Sequence, residues 1–235
     1  MTPRTAWRGC AAAGIVAFIC SWSFGRIPGM VECGPGGGLG PIMTFEFART
    51  PADVAALFGS EPCTSALVAA QKTGLLLDAL GFIPSYTAFL ILAAIAAESR
   101  KRVTLAAIAT FLIAAVSDQI EGGLLYAILA DLPGTPALLG ALWWAVHMKF
   151  ALLALGTMGV AGMLARGSLF RCLSAAPIWS GGLLATLGLV LMPGEWMMTG
   201  FALAWATLLI VALIASFVPF AAPAAPQPDP ATPSA

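Results

Sequence analysis

The chain has 235 residues, of which 60% are hydrophobic and only 9% are charged, and its mean hydropathy is +0.92. These values lie well outside the usual range of soluble domains, so the sequence predicts a membrane protein, which has the lipid bilayer as a partner. The 11 basic and 11 acidic residues give no net charge, which indicates no nucleic-acid partner.

A helix that crosses a bilayer needs about 20 mostly apolar residues. The segments that meet this requirement are residues 6–24, 67–97, 103–130, 137–165, 175–192 and 197–218. They predict an all-α fold, a polytopic membrane protein with a six-transmembrane-helix bundle as its single domain over residues 1–218. The Pro- and Ala-rich residues 219–235 predict a disordered cytoplasmic tail.

Basic residues at the ends of the spans predict the orientation, because Lys and Arg are retained on the cytoplasmic side. With the N-terminus inside, seven of them are cytoplasmic: Arg4, Arg8, Arg100, Lys101, Arg102, Arg166 and Arg171. Only Arg26, Arg49 and Lys72 then lie outside. We therefore expect both termini in the cytoplasm.

The one long polar segment is the loop at residues 25–66, which this orientation makes periplasmic. Its first part is rich in Gly and Pro and is expected to hold no regular helix. Thr50 followed by Pro51 is typical of a helix start, and Asp53 completes an acidic first turn. The short helix that follows is expected to lie on the membrane surface or to cap the bundle.

Two of the five cysteines, Cys33 and Cys63, fall in this loop. An oxidising compartment permits a disulfide, and we predict a Cys33–Cys63 bridge rather than two free thiols. Cys10 and Cys20 in the first span, and Cys172 in a cytoplasmic link, are interpreted as small apolar residues.

Ionisable side chains occur inside three of the predicted spans. The second contains Asp78, the third contains Asp118 and Glu121, and the fourth contains His147 and Lys149. Counted from the outer end of each span, these residues lie at similar depths, with Glu121 slightly nearer the surface. They therefore predict one polar layer inside the membrane, which is the strongest functional signal in the sequence.

Helical periodicity places Asp78 on a stripe of polar and small residues with Gly74 and Gly81, which is expected to face protein rather than lipid. Pro84 is expected to disturb the hydrogen bond to the carbonyl of Leu80, to kink this helix and so to leave an accessible carbonyl beside Asp78. Tyr86, on an adjacent face, can supply a hydroxyl group.

Asp118 and Glu121 are three residues apart, so they are neighbours on one face of the third span. His147 and Lys149 are two apart and point to nearly opposite sides of the fourth span. We expect Lys149 to point inward, because an ammonium group at this depth without a carboxylate is costly. His147 is expected to serve a second contact.

The carboxylates of Asp78, Asp118 and Glu121 outnumber the ammonium group of Lys149 if His147 is neutral. Burying this excess is costly, so protons on the carboxyls, a bound cation, a protonated His147 or access to water is required. The layer is therefore predicted to be a site for a proton, a cation or a small ligand, which is compatible with transport. Buried acid–lysine pairs also fix helix packing without any ligand, which is the alternative of a structural or assembly subunit.

A rival from another class is an intramembrane enzyme that acts on a lipid or isoprenoid. Asp118 or Glu121 would then be the general acid or base, and Lys149 would steer a charged headgroup. The sequence contains no nucleotide-binding loop, paired metal-ligand cysteines or hydrolase motif, so it assigns neither a cofactor nor a metal. The glycines of the last two spans are interpreted as packing residues.

Four segments, FEFART, LLLDALGFIPSY, SDQIEGG and HMKFALL, resemble a group of uncharacterised bacterial multi-pass inner-membrane proteins. In that group a Phe-Glu-Leu-Ala-like segment precedes a helix with Asp and Pro-x-Tyr, an Asp-x-x-Glu helix and a helix with Lys-Phe or Lys-Trp. The resemblance covers about residues 45–152 and brings no known activity. Its implied polar positions are Glu46, Asp78, Tyr86, Asp118, Glu121 and Lys149. Gly122 departs from the pattern, since Asn often follows the Glu there.

Overall fold

The computed structural model describes residues 2–35, 38–97, 100–166, 169–191 and 194–218, and within these ranges the regular structure is entirely helical. In chain order the helices are α1 (Pro3–Phe24), α2 (Pro41–Glu46), α3 (Pro51–Phe58), α4 (Cys63–Leu77), α5 (Ile83–Ala97), α6 (Lys101–Ala130), α7 (Pro136–Leu164), α8 (Leu169–Leu191) and α9 (Glu195–Phe217). A π-helical turn, Asp78–Phe82, joins α4 to α5 without a break. The predicted tail at residues 219–235 lies outside the described residues.

Six helical units are long and apolar enough to cross a membrane: α1, the continuous α4–α5 unit, α6, α7, α8 and α9. Each overlaps one of the predicted spans. The largest difference is at the start of α8, which begins at Leu169 rather than at residue 175. Arg171 and Ser174 lower the hydropathy of these first turns without interrupting the helix.

The six spanning units form a closed ring that follows chain order. α1 packs on α5, α5 on α6, α6 on α7, α7 on α8 and α8 on α9. α9 then packs back on α1 and closes the ring. The short links after α5, α6, α7 and α8 make sequential neighbours antiparallel. The links between α6 and α7 and between α8 and α9 therefore lie at the same end of the ring as the long loop.

Glycines permit a close approach of α8 and α9. A Cβ atom at Gly181 would lie 2.6 Å from the carbonyl oxygen of Gly200, and one at Gly200 would lie 2.5 Å from that of Gly181. Small residues favour the association of membrane helices because their backbones can approach closely. The interpretation of these glycines as packing residues is confirmed.

The predicted start of α3 is confirmed by reciprocal hydrogen bonds. The amide of Asp53 donates to the Thr50 hydroxyl at 3.2 Å, and the amide of Thr50 donates to the Asp53 carboxylate at 2.8 Å. A hydrogen bond from the Arg49 amide is the largest cause that lowers the pKa of Asp53. The apolar side of α3 is buried and packs on α2 and α4.

The loop contains a helix that the sequence did not predict. α2 begins at Pro41, directly after Gly40, whose φ of +78° lies in the left-handed region that favours glycine. Phe45 on α2 is buried and packs edge-on against Phe58, with 5.2 Å between the ring centroids. A helix of one and a half turns carries too little periodicity to be detected after a Gly/Pro-rich run.

Cys33 and Cys63 form a disulfide, with 5.7 Å between their Cα atoms. The bridge ties the loop before α2 to the first residue of α4. Cys10 and Cys20 are free and buried, as expected of small apolar residues, whereas Cys172 is free and exposed.

We expect a non-reduced digest to contain one peptide pair linked through Cys33 and Cys63. The other three cysteines should be alkylated after denaturation. Mass spectrometry of protein that was never exposed to reductant measures both results. In the Cys33→Ser control the linked pair should disappear and Cys63 should become alkylated, whereas alkylation of both cysteines in the unaltered protein would contradict the bridge.

Candidate functional site

Asp78 begins the π-helical turn in the second span. The amide of Ile83 donates to the carbonyl of Asp78, so the carbonyl of Ala79 is released from the regular helical pattern. Ala79 instead accepts a hydrogen bond from Nε2 of Gln119 on α6, at 3.0 Å. Pro84 predicted that the accessible carbonyl would be that of Leu80, whereas the carbonyl that accepts from a side chain is that of Ala79. Such π-helical turns are frequent at functional sites.

Lys149 on α7 lies among three carboxylates. We call Lys149 and the carboxylates of Glu46, Asp118 and Glu121 the ion cluster. Its Nζ atom is 3.2 Å from Oε2 of Glu46, 3.1 Å from Oδ1 of Asp118 and 2.7 Å from Oε2 of Glu121. The side chains of Lys149 and Glu121 are only 6% and 3% exposed, so attraction between the charges has to offset a large desolvation cost. The predicted inward orientation of Lys149 is confirmed.

Further contacts hold the ion cluster in place. The hydroxyl of Tyr86 on α5 donates to Oδ2 of Asp118 at 2.7 Å, so both oxygens of Asp118 are engaged. Lys149 donates to Oε1 of Glu121 at 2.8 Å, whereas Oε2 of Glu121 is close to the ammonium group without a hydrogen bond. The Lys149 ammonium group also lies 4.3 Å from the centre of the Phe150 ring.

Glu46 reaches the ion cluster from outside the predicted spans, because it is the last residue of α2 in the loop. Lys149 donates a hydrogen bond to its carboxylate. Burial raises the pKa of Glu46, and the positive charge of Lys149 opposes only part of that rise. Hydropathy did not predict this position, and the resemblance of the FEFART segment was the one sequence signal for it.

His147 stands apart from the ion cluster, as its position two residues from Lys149 predicted. Its Nδ1 atom is 2.7 Å from the carbonyl oxygen of Trp143 on the same helix, and its ring stacks on the Trp143 ring at 4.1 Å. Phe47 packs edge-on against the His147 ring. His147 is not among the described residues that line the cavity beside the cluster, so its place in the predicted ligand-binding set stays a prediction.

That cavity has a volume of about 460 Å³ and lies inside the ring, at the end covered by the loop. Its polar wall contains Glu46, Gln71, Asp78, Tyr86, Asp118, Glu121 and Lys149. Asp78 is half-buried there, and its carboxylate makes no hydrogen bond or ion pair with any described residue. The structure thus brings six of the seven predicted ligand-binding residues to one cavity, although Asp78 is not part of the ion cluster.

Aromatic side chains form a connected wall of the cavity, which we call the aromatic wall. Consecutive ring centroids are 5.8 Å apart for Phe24 and Phe82, 5.3 Å for Phe82 and Tyr86, 5.6 Å for Tyr86 and Trp205, and 5.6 Å for Trp205 and Phe201. The sequence assigned the site to the second, third and fourth spans only. It missed α1 and α9 because an aromatic residue in an apolar span suits lipid, core or cavity equally well.

The Lys149 ammonium group fills the position that a bound cation would take between the three carboxylates. Across the described ranges, no three His, Cys, Asp or Glu side chains are grouped in a way that could hold a metal ion.

Across the part of the chain that the structure describes, these features define an all-helical protein with six candidate membrane-spanning helices and a charged interior cavity. Comparisons with protein-family models, with curated proteins and with solved structures found no match. The resemblance noted in the sequence therefore stays a prediction.

Proposed function

We propose that the protein binds a small ligand inside the membrane, in the cavity lined by α1, α4–α5, α6, α7, α9 and the loop, as the first step of transport or sensing. The observation that carries the proposal is the cavity of about 460 Å³ directly beside the ion cluster. Sites for small molecules usually have volumes of about 300–1,000 Å³ and combine apolar walls with a few polar groups. A subunit whose acidic and basic residues only fix helix packing needs no such space beside them.

The contacts of the ion cluster support an intramembrane enzyme less well. Lys149 is engaged by three carboxylates, so its ammonium group is not free to steer a charged headgroup. Both oxygens of Asp118 are bonded, so it can act as a base only after a contact is lost. Binding of a ligand in the cavity requires neither change.

Cysteine labelling tests whether the cavity admits a ligand from water. Leu75 lines the cavity, whereas its neighbour Leu76 is 61% exposed on the outer surface of the helix, where the spans face lipid. In a background with Cys10, Cys20 and Cys172 replaced by Ala, we expect Leu75→Cys to react with neutral methyl methanethiosulfonate. A ligand such as benzyltrimethylammonium or benzenesulfonate should slow that reaction if it enters the cavity.

The matched control is Leu76→Cys in the same background, whose rate no cavity ligand should change. Liquid chromatography with mass detection measures the labelled fraction of the protein over time. Absence of reaction at Leu75→Cys in folded protein would contradict the proposal, because a ligand could not enter from water either.

We infer that the cavity lies toward the periplasm of a bacterial cell and that both termini are cytoplasmic. The basic residues at the other end of the ring support this orientation under the positive-inside rule. There, Arg4 and Arg8 of α1 donate to the carbonyl of Ser216 near the end of α9, and Arg171 donates to the carbonyl of Ala97.

Reporter fusions are expected to give a periplasmic signal after about residues 45, 133 and 195. A fusion after Arg166 is the control and should give a cytoplasmic signal, because α7 ends at that end of the ring. Alkaline phosphatase and fluorescent-protein fusions measure the two sides independently. A cytoplasmic signal after residue 45 would reverse the orientation.

A further inference from the structure

We propose that the ligand of this cavity is a small organic cation with an apolar body, such as an aromatic amine or a quaternary ammonium compound, and that Asp78 is its counterion. This inference rests on the proposed function, that the cavity takes a small ligand, and adds the chemical class of that ligand.

The charges on the cavity wall select against anions. Four carboxyl groups, those of Glu46, Asp78, Asp118 and Glu121, face the cavity, whereas Lys149 is the only cationic side chain among the described residues that line it. Its ammonium group is already held by three of those carboxylates. An anionic ligand would meet this excess of negative charge without a free cation to pair with.

Asp78 is the carboxylate that is free to pair with a ligand. Asp78 lies within a spanning unit, on the cavity wall, and its carboxylate makes no hydrogen bond or ion pair with a described residue. An acidic side chain inside a membrane span is costly unless it is paired or hydrated, and it marks a functional site by default. A cationic group in the cavity would pair with Asp78 without disturbing the contacts of Lys149.

The aromatic wall indicates an organic cation rather than an inorganic one. Phe82 ends the π-helical turn that Asp78 begins, and Tyr86 follows one turn later. The carboxylate and these two rings of the aromatic wall therefore belong to one short stretch of helix. Ring faces attract a cation within about 6 Å of their centroids and also bury apolar groups. A bare metal ion would use neither the rings nor a space of about 460 Å³.

The first test compares a cationic and an anionic reagent at the same cysteine. Leu75→Cys, one helical turn before Asp78, is labelled with trimethylammonium-ethyl or sulfonato-ethyl methanethiosulfonate in the background without Cys10, Cys20 and Cys172. Ala137→Cys is the reference, because Ala137 is exposed at the same end of the ring and does not line the cavity. We expect the cation-to-anion rate ratio at Leu75→Cys to exceed that at Ala137→Cys by about tenfold or more.

Asp78→Asn should bring this ratio back toward the reference value, because it removes the charge without breaking a hydrogen bond or ion pair of the carboxylate with a described residue. An unchanged ratio in folded Asp78→Asn protein would overturn the role of Asp78. Equal ratios at Leu75→Cys and Ala137→Cys would overturn the inference while leaving the proposed function standing, since the cavity would still admit both reagents.

The second test keeps Asp78 and so does not depend on the folding of that variant. Benzyltrimethylammonium, at a concentration that occupies half of the sites, should halve the rate at which methyl methanethiosulfonate labels Leu75→Cys. Benzenesulfonate, an anion with a similar ring, should leave the rate unchanged. Protection by benzenesulfonate, or by neither compound, would overturn the cation assignment, whereas failure of every reagent to reach Leu75→Cys would overturn the proposed function as well.

Discussion

Lys149→Met is expected to lower the free energy of unfolding by about 3–5 kcal/mol, the largest effect of any single substitution in the ion cluster. The variant would leave the carboxylates of Glu46, Asp118 and Glu121 within one small buried space without the ammonium group that lies 2.7–3.2 Å from each of them. Because Met fills a volume similar to that of Lys, the loss of stability measures the removed charge rather than an empty space left in the core. Thermal or denaturant unfolding in detergent micelles measures it.

Two further variants separate the charge effect from a general effect of losing a lysine. Lys149→Met combined with Asp118→Asn should regain part of the lost stability, because one uncompensated carboxylate is removed. Lys72→Met is the matched control. Lys72 is exposed and its Nζ atom is 5.7 Å from the Tyr126 ring centre, so its loss should change stability by no more than about 0.5 kcal/mol. Equal losses in the two single variants would contradict the account of the ion cluster.

The second large effect is expected at the crossing of α8 and α9. Gly181→Ala should lower the free energy of unfolding by about 1–3 kcal/mol, the usual cost of overpacking a close contact. The new Cβ atom would meet the backbone carbonyl oxygen of Gly200 at 2.6 Å, and a backbone group in a packed helix cannot rotate away as a long side chain can. Unfolding in detergent again gives the value.

Gly159→Ala provides the same chemical change without the contact. A Cβ atom at Gly159, within α7, would have no neighbour within 4 Å, so the higher helix propensity of Ala should raise stability by up to about 1 kcal/mol. If Gly159→Ala lowers the free energy of unfolding as much as Gly181→Ala does, both losses come from replacing a glycine. The close approach of α8 and α9 would then not explain the loss at Gly181→Ala.

The Lys149 variants and the Asp78→Asn variant test different groups. The ion cluster connects Glu46 of the loop, Tyr86 of α5, Asp118 and Glu121 of α6 and Lys149 of α7 through direct contacts. The Asp78 carboxylate makes none of those contacts. We therefore expect Asp78→Asn to keep its fold, so that ligand selection can be measured independently of stability.

Features that depend on neighbouring positions in the chain could be predicted from local sequence patterns. Apolar length predicted six spans, all of which overlap helices long and apolar enough to cross a membrane. Helical periodicity placed Asp118 beside Glu121 and turned Lys149 away from His147, because side-chain direction on a helix is fixed by residue spacing. The Thr50–Asp53 cap followed from local hydrogen-bonding chemistry in the same way.

The tertiary structure alone decided which distant segments meet. Glu46 reaches Lys149 because a short loop helix enters the end of the ring, and no local pattern gives the path of such a loop. Phe24 and Trp205 lie on the cavity wall because the first and last spans close the ring, although their residue types would suit lipid equally well. Asp78 and Asp118 share a depth in the sequence, yet only Asp118 pairs with Lys149, since the ammonium group can reach only the carboxylates that helix packing brings close to it.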